Sequence, residues 1–370
     1  LDVYQAGAGT PFNMNANEVI ANRANELMGA AKGSYKFVRP NDHVNMAQSS
    51  NDVIPTATRL ATLVGLKELE VEMVALAKSL SSMGKKHAKL LKVGRTHLQD
   101  AVPVTLGQEF EAYASAIRTA QRTLNEAQKE LCLLGIGGTA TGTGITAHPE
   151  FKKRIAAHLS KLTGFSLKNA PNLIETTHSQ SALLKASSAL RTLAVEVNRI
   201  ANDLRLLTSG PKAGFNEIVL PEVEPGSSIM PGKVNPSVAE CMNMICGQVI
   251  GCDAAVSFGA QGGQLELNWH TPLIMVNLLH SIHILTTGLK MFRVDCIEGI
   301  RVNEAHITHM FENSLVTATA LCPRLGYKVM AECVNEALKS GKSLREIVVG
   351  RRKLLPAKVF EDLVSPAKTV

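Results

Sequence analysis

The chain has 370 residues, of which 45% are hydrophobic and 19% are charged, a composition typical of soluble globular proteins. The formal net charge is +7, but the basic residues are spread along the sequence and only 4% of the residues are aromatic. These values argue against nucleic-acid binding. No uninterrupted apolar run is long enough to span a membrane.

The seven cysteines form no Cys-x-x-Cys pair, and most of them lie among apolar residues. This pattern predicts reduced cysteines in the core of a cytoplasmic protein. No spacing of His, Cys, Asp and Glu residues suggests a structural metal site, so the sequence requires no cofactor. Activation by a divalent cation such as Mg has no signature in the sequence.

Prolines divide the sequence into long segments, and several of these have the apolar periodicity of helices. In residues 60–76 and 182–207, apolar side chains recur three and four positions apart and occupy more than one side of the helix. Such helices need burial by several neighbours, which predicts an all-α protein, a long helical bundle completed by other subunits. Strand signals are weak throughout. The proline-free segments are 56–102, 104–148, 172–210, 237–271 and 273–322.

Polar side chains concentrate in the turn-rich segments that separate these helices. Near the start, Gly7 and Gly9 allow a backbone to approach a ligand closely, and Thr10 adds a hydroxyl. Residues 49–52 read Ser-Ser-Asn-Asp, which is a natural N-cap for the helix that follows. Hydroxyl and backbone N–H groups at a helix N-terminus also bind carboxylates well.

Two further polar segments follow in the chain. Thr96 and His97, in Gly94-Arg-Thr-His-Leu-Gln-Asp100, offer donors for a carboxylate or a partner for an amine. Residues 135–144 read Gly-Ile-Gly-Gly-Thr-Ala-Thr-Gly-Thr-Gly and lack the Gly-Lys-Ser/Thr ending of a phosphate-binding loop. They predict instead a close-packed turn near the site.

The most polar loop is Gly226-Ser-Ser-Ile-Met-Pro-Gly-Lys-Val-Asn-Pro236. Its prolines and glycines prevent a helix. It nevertheless carries two serines, a lysine and an asparagine, and it lies between long segments that are predicted to be helical. A loop with so many hydrogen-bonding groups on a rigid scaffold is a typical position for a functional site.

Together these motifs resemble those of the aspartase/fumarase superfamily. The resemblance covers essentially the whole chain and implies an all-α fold, in which long central helices of four protomers assemble into a twenty-helix core. It also implies that three subunits build each active site. The matching motifs, in the order of the family, are Gly7-Ala-Gly-Thr10 with Asn13-Met-Asn15, Ser49-Ser-Asn-Asp52, Gly94-Arg-Thr-His-Leu-Gln-Asp100 and Gly226-Ser-Ser-x-Met-x-x-Lys-x-Asn235.

The resemblance implies three regions in the chain. Residues 1–50 are expected to be the remainder of the N-terminal domain and its junction, 51–322 the central long-helix bundle, and 323–370 a small C-terminal helical domain. Because the sequence begins with Leu1 and shows neither a secretory nor a transit segment, we expect that further N-terminal residues precede it. In the C-terminal region, Ser343 and Glu346 have the spacing of a capping box.

The family eliminates a group from succinyl-type dicarboxylates to give fumarate, through an aci-carboxylate intermediate. The resemblance implies that Ser227 is the base and that His97 and Asn51 lie near the leaving group, with Glu240 paired to His97. It implies further substrate-binding residues, namely Thr10, Ser49, Ser50 and Ser228 for the β-carboxylate and Thr96, Lys233 and Asn235 for the α-carboxylate.

Two differences bear on the substrate. Fumarases usually have Ser at the position of Ala8, and His-Phe-Glu-Leu-Asn where this chain has Gln264-Leu-Glu-Leu-Asn268. Both differences resemble aspartate ammonia-lyases, whereas Ser49-Ser50 and Gly138-Thr139 resemble fumarases. The resemblance therefore implies a homotetrameric ammonia-lyase acting on L-aspartate. The alternatives are a class II fumarate hydratase acting on L-malate and a non-catalytic structural homologue.

Overall fold

A computed structural model describes residues 1–5 and 7–365, and helices account for 65% of the structure. The predicted all-α class is therefore confirmed. The longest helices fall largely within the predicted proline-free segments. The described α-helices are α1 (Thr10–Leu27), α2 (Ser50–Lys86), α3 (Leu106–Leu131), α4 (Pro149–Thr163), α5 (Leu173–His178), α6 (Ser181–Leu207), α7 (Ser237–Ala260), α8 (Thr271–Asp295), α9 (Glu304–Asn313), α10 (Thr317–Leu325), α11 (Tyr327–Ser340) and α12 (Ala357–Leu363), and short π and 3-10 helices cover Pro40–Asn45, Ile297–Gly299 and Glu346–Arg351.

The strands of the described residues form four two-stranded sheets, of which only the first has strands longer than two residues. The β3 and β4 pair is parallel, and the other pairs are antiparallel. The pairs are β1 (Leu91–Thr96) with β2 (Gln99–Thr105), β3 (Leu133–Leu134) with β4 (Lys168–Asn169), β5 (Ile218–Val219) with β8 (Arg301–Val302), and β6 (Gly263–Gln264) with β7 (Leu267–Asn268).

The sequence predicted only a turn-rich segment between helices here, and this prediction was wrong because the segment forms the β1–β2 hairpin. Gly94 and Pro103 weakened the strand signal, because glycine and proline are both disfavoured inside strands. The structure accommodates them with a register irregularity between Val93 and Arg95. A Cβ atom on Gly94 would lie 2.5 Å from the carbonyl oxygen of Val102, so only glycine fits there.

Packing divides the chain into two units, each made of several chain segments. The predicted three-domain boundaries remain a prediction, because these units follow a different division. Unit 1 consists of Leu1–Met73, Thr119–Asn198 and Asn243–Leu289, and unit 2 consists of Val74–Arg118, Arg199–Met242 and Lys290–Val370.

In unit 1 the side chains that form the predicted apolar periodicity are buried where helices pack together. Leu63, Leu66 and Leu69 of α2 are buried, at the three-residue spacing that the sequence shows. A Cβ atom on Gly65 would lie 2.9 Å from the side chain of Ile282, so α2 and α8 approach closely at this glycine. The absence of a side chain at Gly65 therefore sets the distance between two core helices.

The C-terminal part of unit 2 has a hydrophobic cluster of its own. Leu321, Met330 and Phe360, from α10, α11 and α12, are among its buried members. The predicted capping box is confirmed here, because the Ser343 N–H donates to Glu346 Oε2 (2.9 Å) and the Glu346 N–H donates to Ser343 Oγ (3.2 Å). This reciprocal pair fixes the start of the following helical turns.

Helices α7 and α8 are strongly apolar but incompletely covered. Windows of 18 residues in them have a mean hydropathy of 1.3 and 1.4, so both are long and apolar enough to cross a membrane by length and composition alone. Core helices of soluble proteins meet the same criterion. Only 33% and 44% of these windows are buried inside the chain. The exposed side of α7 carries what we term the α7 stripe, namely Met244, Gly247, Gly251, Ala254 and Phe258.

Candidate active site

The predicted site residues divide between the two units. Unit 1 contains Thr10, Ser49, Ser50 and Asn51. We term these four residues the helix-start group. The others belong to unit 2, where they occupy the β1–β2 hairpin and the segment 226–240. These others are Thr96, His97, Ser227, Ser228, Lys233, Asn235 and Glu240.

The helix-start group surrounds the N-terminus of α2. The Asn51 N–H donates to Ser49 Oγ (3.2 Å), and the Ser49 N–H donates to Asp52 Oδ1 (3.2 Å), which confirms the predicted N-cap. The hydroxyls of Thr10 and Ser50 lie 2.9 Å apart. Two hydroxyls therefore meet at a helix N-terminus, where the helix dipole favours a negatively charged ligand.

The glycine-rich turn 135–144 packs against this group, as the sequence predicted. The N–H groups of Gly137 and Thr139 both donate to Asp52 Oδ2 at 2.9 Å, and the Asn51 side-chain amide donates to the Ala140 carbonyl at 2.8 Å. These backbone donors serve the carboxylate of Asp52, as they would serve a phosphate in a phosphate-binding loop. The turn thus holds Asn51 in one orientation.

Substitution of Asp52 by alanine is expected to lower the free energy of unfolding by about 3 kcal/mol, because three backbone N–H groups lose their acceptor in a buried place. Burial raises the pKa of Asp52, while these N–H groups act in the opposite direction. Urea unfolding measures the loss. The matched control is Asp42→Ala, which removes an exposed carboxylate and is expected to change the stability by less than about 0.5 kcal/mol. Equal losses in the two variants would contradict this assignment.

The tip of the β1–β2 hairpin is a two-residue turn made of His97 and Leu98. Their φ angles are +53° and +59°, the left-handed region that asparagine and glycine usually occupy in such turns. Neither residue is of that type, so the turn is strained, by roughly 1 kcal/mol for each residue. Thr96 and His97 are exposed at the hairpin tip, and strained backbone of this kind often occurs at functional sites.

The loop that carries Ser227 folds back on itself. The N–H groups of Ile229 and Met230 donate to Ser227 Oγ at 3.3 Å and 3.1 Å, and the Ser227 N–H donates to the Lys233 carbonyl at 3.1 Å. A Cβ atom on Gly226 would lie only 1.7 Å from that carbonyl oxygen, so glycine is required at this position. The backbone thus places Lys233 beside Ser227, and two N–H groups point at the serine oxygen.

The remaining predicted residues lie just after this loop. Asn235 is half-buried, and Glu240 lies in the first turn of α7. Glu240 pairs with Arg205 at 3.6 Å, so its expected pairing with His97 stays a prediction. Residues 1–5 and 7–365 contain no group of three or more His, Cys, Asp or Glu side chains arranged to hold a metal ion.

The buried charges near the candidate site residues were not predicted from the sequence. The sequence indicated Asp52 only as part of a helix cap and gave no prediction for Lys92 or Glu217. A partial signal was present at Glu217, which stands alone as a charged residue in the otherwise uncharged run 213–221. An isolated charge in such a segment indicates a buried ion pair.

The family of the chain follows from its match to family models. Residues 1–251 match the model described as Lyase, and residues 317–370 match the model described as Fumarase C C-terminus. The chain belongs to the aspartase/fumarase superfamily. This lyase superfamily is the one that the motif resemblance indicated.

Individual relatives carry both activities of the superfamily. A class II fumarate hydratase of Ralstonia nicotianae is 45% identical over 371 residues, which cover 100% of this chain and 80% of the relative. An aspartate ammonia-lyase of Helicobacter pylori is 45% identical over 366 residues, which cover 99% of this chain and 78% of the relative. Overall sequence identity therefore does not decide whether the leaving group is ammonia or water.

Solved structures agree on the fold. The fumarate lyase:delta crystallin from Brucella melitensis, bound to cobalt, superposes with a TM-score of 0.95 at 44% identity and covers 99% of this chain and 79% of its own. A recombinant class II fumarase from Schistosoma mansoni gives a TM-score of 0.92 at 38% identity, with coverage of 99% and 80%. The helical architecture is thus that of the superfamily.

Proposed function

We propose that this protein is a cytoplasmic, homotetrameric aspartate ammonia-lyase that converts L-aspartate reversibly to fumarate and ammonia. The observation that carries the proposal is the environment of Ser227 Oγ, which accepts two backbone N–H bonds. Hydrogen bonds to the charged form of a group favour that form, so these N–H groups stabilise a serine alkoxide. Such an oxygen is suited to remove a proton from carbon.

Substrate binding divides between two sets of donors. Thr10, Ser49, Ser50 and Ser228 would hold the β-carboxylate, where a second negative charge develops as the proton leaves. Thr96, Lys233 and Asn235 would hold the α-carboxylate. Donors placed where charge develops stabilise the transition state more than the bound substrate, and this difference is what accelerates the reaction.

The reaction is then an anti-elimination. Ser227 takes the proton from the β-carbon, and the electron pair moves into the β-carboxylate to give the aci-carboxylate. When this intermediate collapses, the double bond of fumarate forms and the C–N bond breaks. The ammonium group of the substrate departs as neutral ammonia, near Asn51 and His97. The proton ends on Ser227.

Two residues favour ammonia over water as the leaving group. An ammonium group departs as a neutral molecule, whereas a hydroxyl group needs a proton donor as it leaves. Ala8, which is buried in the turn before Thr10, carries no hydroxyl where fumarases usually have Ser. Gln264 likewise stands where fumarases usually have His. Both differences resemble the ammonia-lyases of the superfamily, which supports ammonia as the leaving group.

The direct test follows the absorbance of fumarate with L-aspartate and then with L-malate. We expect turnover of L-aspartate and a kcat/KM for L-malate lower by at least ~10²-fold, the discrimination available to a site with specific polar contacts. Preferred turnover of L-malate would establish the hydratase, which Ser50 and Gly138 favour. Turnover of neither substrate would favour the non-catalytic structural homologue.

The homotetramer is supported by the α7 stripe. Met244 and Phe258 are 70% and 63% exposed, and nothing lies within 4 Å of a Cβ atom placed on Gly247 or Gly251. Two open glycines on one helix face allow another helix to approach closely. Exposed apolar surface of this kind marks an interface in a soluble protein, and we propose a further copy of this chain as the partner.

A further inference from the structure

A cluster of buried charges in unit 2 lies directly behind the hairpin tip. Lys92 is 1% exposed and Glu217 is fully buried. Lys92 Nζ lies 2.5 Å from Glu217 Oε2, and Arg95 Nη1 lies 2.6 Å from Glu217 Oε1. Each oxygen of one carboxylate therefore binds a different cation, and both cations belong to β1.

Glu217 is itself fixed to the backbone around it. Its N–H donates to the Leu207 carbonyl and its carbonyl accepts from the Asn303 N–H, both at 2.9 Å. Glu217 directly precedes β5, and the chain then runs on to the loop that carries Ser227. The guanidinium of Arg95 also lies over the ring of Phe215, 4.3 Å from its centre.

The cluster therefore joins two candidate site segments of unit 2. Arg95 directly precedes Thr96 and His97 at the strained hairpin tip, and Glu217 precedes β5 and the Ser227 loop. Stability alone does not account for charges in this place, because apolar side chains of similar volume often stabilise a core as well or better. Their geometric effect is to fix one segment relative to the other.

We infer that Glu217 is a positioning residue, which holds the hairpin carrying Thr96 and His97 at a set distance from the start of the Ser227 loop. The inference rests on the proposed function for its effect on catalysis. Glu217 acts through Lys92 and Arg95 and need not touch the substrate. Loss of its charge would leave Arg95 without this carboxylate and Lys92 with Glu109 alone, and the hairpin would move.

The same cluster supplies a matched control. Glu109 of α3 pairs with Lys92 at 2.7 Å and is 27% exposed. It belongs to neither the hairpin nor the segment that leads into the Ser227 loop. Glu109→Gln thus removes one ion pair of the cluster but leaves the link between the two segments.

The first measurement compares kcat and KM of Glu217→Gln and Glu109→Gln well below their unfolding temperatures. We expect kcat of Glu217→Gln to fall about 10²-fold, since a displacement of about 1 Å costs that much. KM should rise less than tenfold, because Lys233 and Asn235 still hold the carboxylate. Glu109→Gln should lower Tm but leave kcat within about twofold. An equal effect of the two variants on kcat would overturn the inference.

A second measurement does not depend on activity. Hydrogen–deuterium exchange followed by mass spectrometry should show faster exchange in both 91–105 and 218–236 for Glu217→Gln, and in neither segment for Glu109→Gln. If the wild-type protein turns over neither substrate, the proposed function fails while this measurement still decides the inference. Unchanged exchange in either segment would overturn it.

If Glu217→Gln does not accumulate as folded protein, Arg95→Lys takes its place against the same control. Lysine keeps the charge but lacks the planar group that both binds Glu217 and stacks on Phe215. We expect kcat to fall about tenfold, with faster exchange in the same two segments. Normal kcat together with unchanged exchange would contradict the positioning role.

Discussion

Substitution of Ser227 by alanine is expected to lower kcat by about 10³-fold or more while the fold and the oligomeric state persist. Among the described residues of this loop, Ser227 Oγ is the only oxygen that accepts two backbone N–H bonds. Alanine removes this oxygen and with it the proposed base. The substitution leaves Gly226 and the bond from residue 227 N–H to the Lys233 carbonyl, so the loop keeps its closure. Fumarate should still bind, because the groups that we propose to hold both carboxylates remain.

The control for this variant is Ser237→Ala. Ser237 begins α7 and its hydroxyl donates to Glu224, so this variant also removes one serine oxygen close to the loop. We expect its kcat to stay within about threefold of the wild-type value, as is usual for surface substitutions. Steady-state rates, circular dichroism and sedimentation of both variants provide the comparison. A Ser227→Ala protein that keeps more than a tenth of the activity would rule out Ser227 as the base.

The features that were predictable from sequence are those set by local chemistry. The α2 start at Ser50 and the capping box of Ser343 and Glu346 each depend on residues within three positions of one another. The core face of α2 likewise depends on a short repeat of apolar residues. Signals of this range need no knowledge of the rest of the fold.

The hairpin and the buried charges were not predictable in this way. His97 and Leu98 are not residues that favour a left-handed turn, so the sequence does not mark the point where β1 turns back. Lys92 and Glu217 are of types that usually lie at the surface, and the partners of Glu217 lie more than a hundred positions away in the chain. Only tertiary contacts determine these features.

The arrangement of the candidate site residues was also not predictable from the sequence. Motifs identified the candidate residues, but no motif states which of them share a neighbourhood. The structure brings Thr10 to Ser50 across 40 positions and closes the Ser227 loop onto Lys233. It assigns these two groups to different units of the chain. Whether a working site takes these groups from one chain or from several is open to a direct test.

We expect two inactive variants to restore activity to each other when they form mixed tetramers. Ser50→Ala damages the helix-start group, and Ser227→Ala removes the base. If a site combines these groups from different subunits, random mixing gives about a quarter of the sites one intact copy of each. Co-expression at equal levels should therefore recover up to about a quarter of wild-type activity, against about 1% or less for either variant alone.

The matched control pairs Ser50→Ala with Thr10→Ala. Because Thr10 and Ser50 contact each other within one chain, both substitutions damage the same helix-start group. Each site of a mixed tetramer then carries one defect or the other, so activity should stay at the level of the single variants. If the Ser50→Ala and Ser227→Ala mixture also fails to recover, each site takes both groups from a single chain, and the tetramer is not needed to complete it. Recovery in the first mixture alone would establish a site shared between subunits.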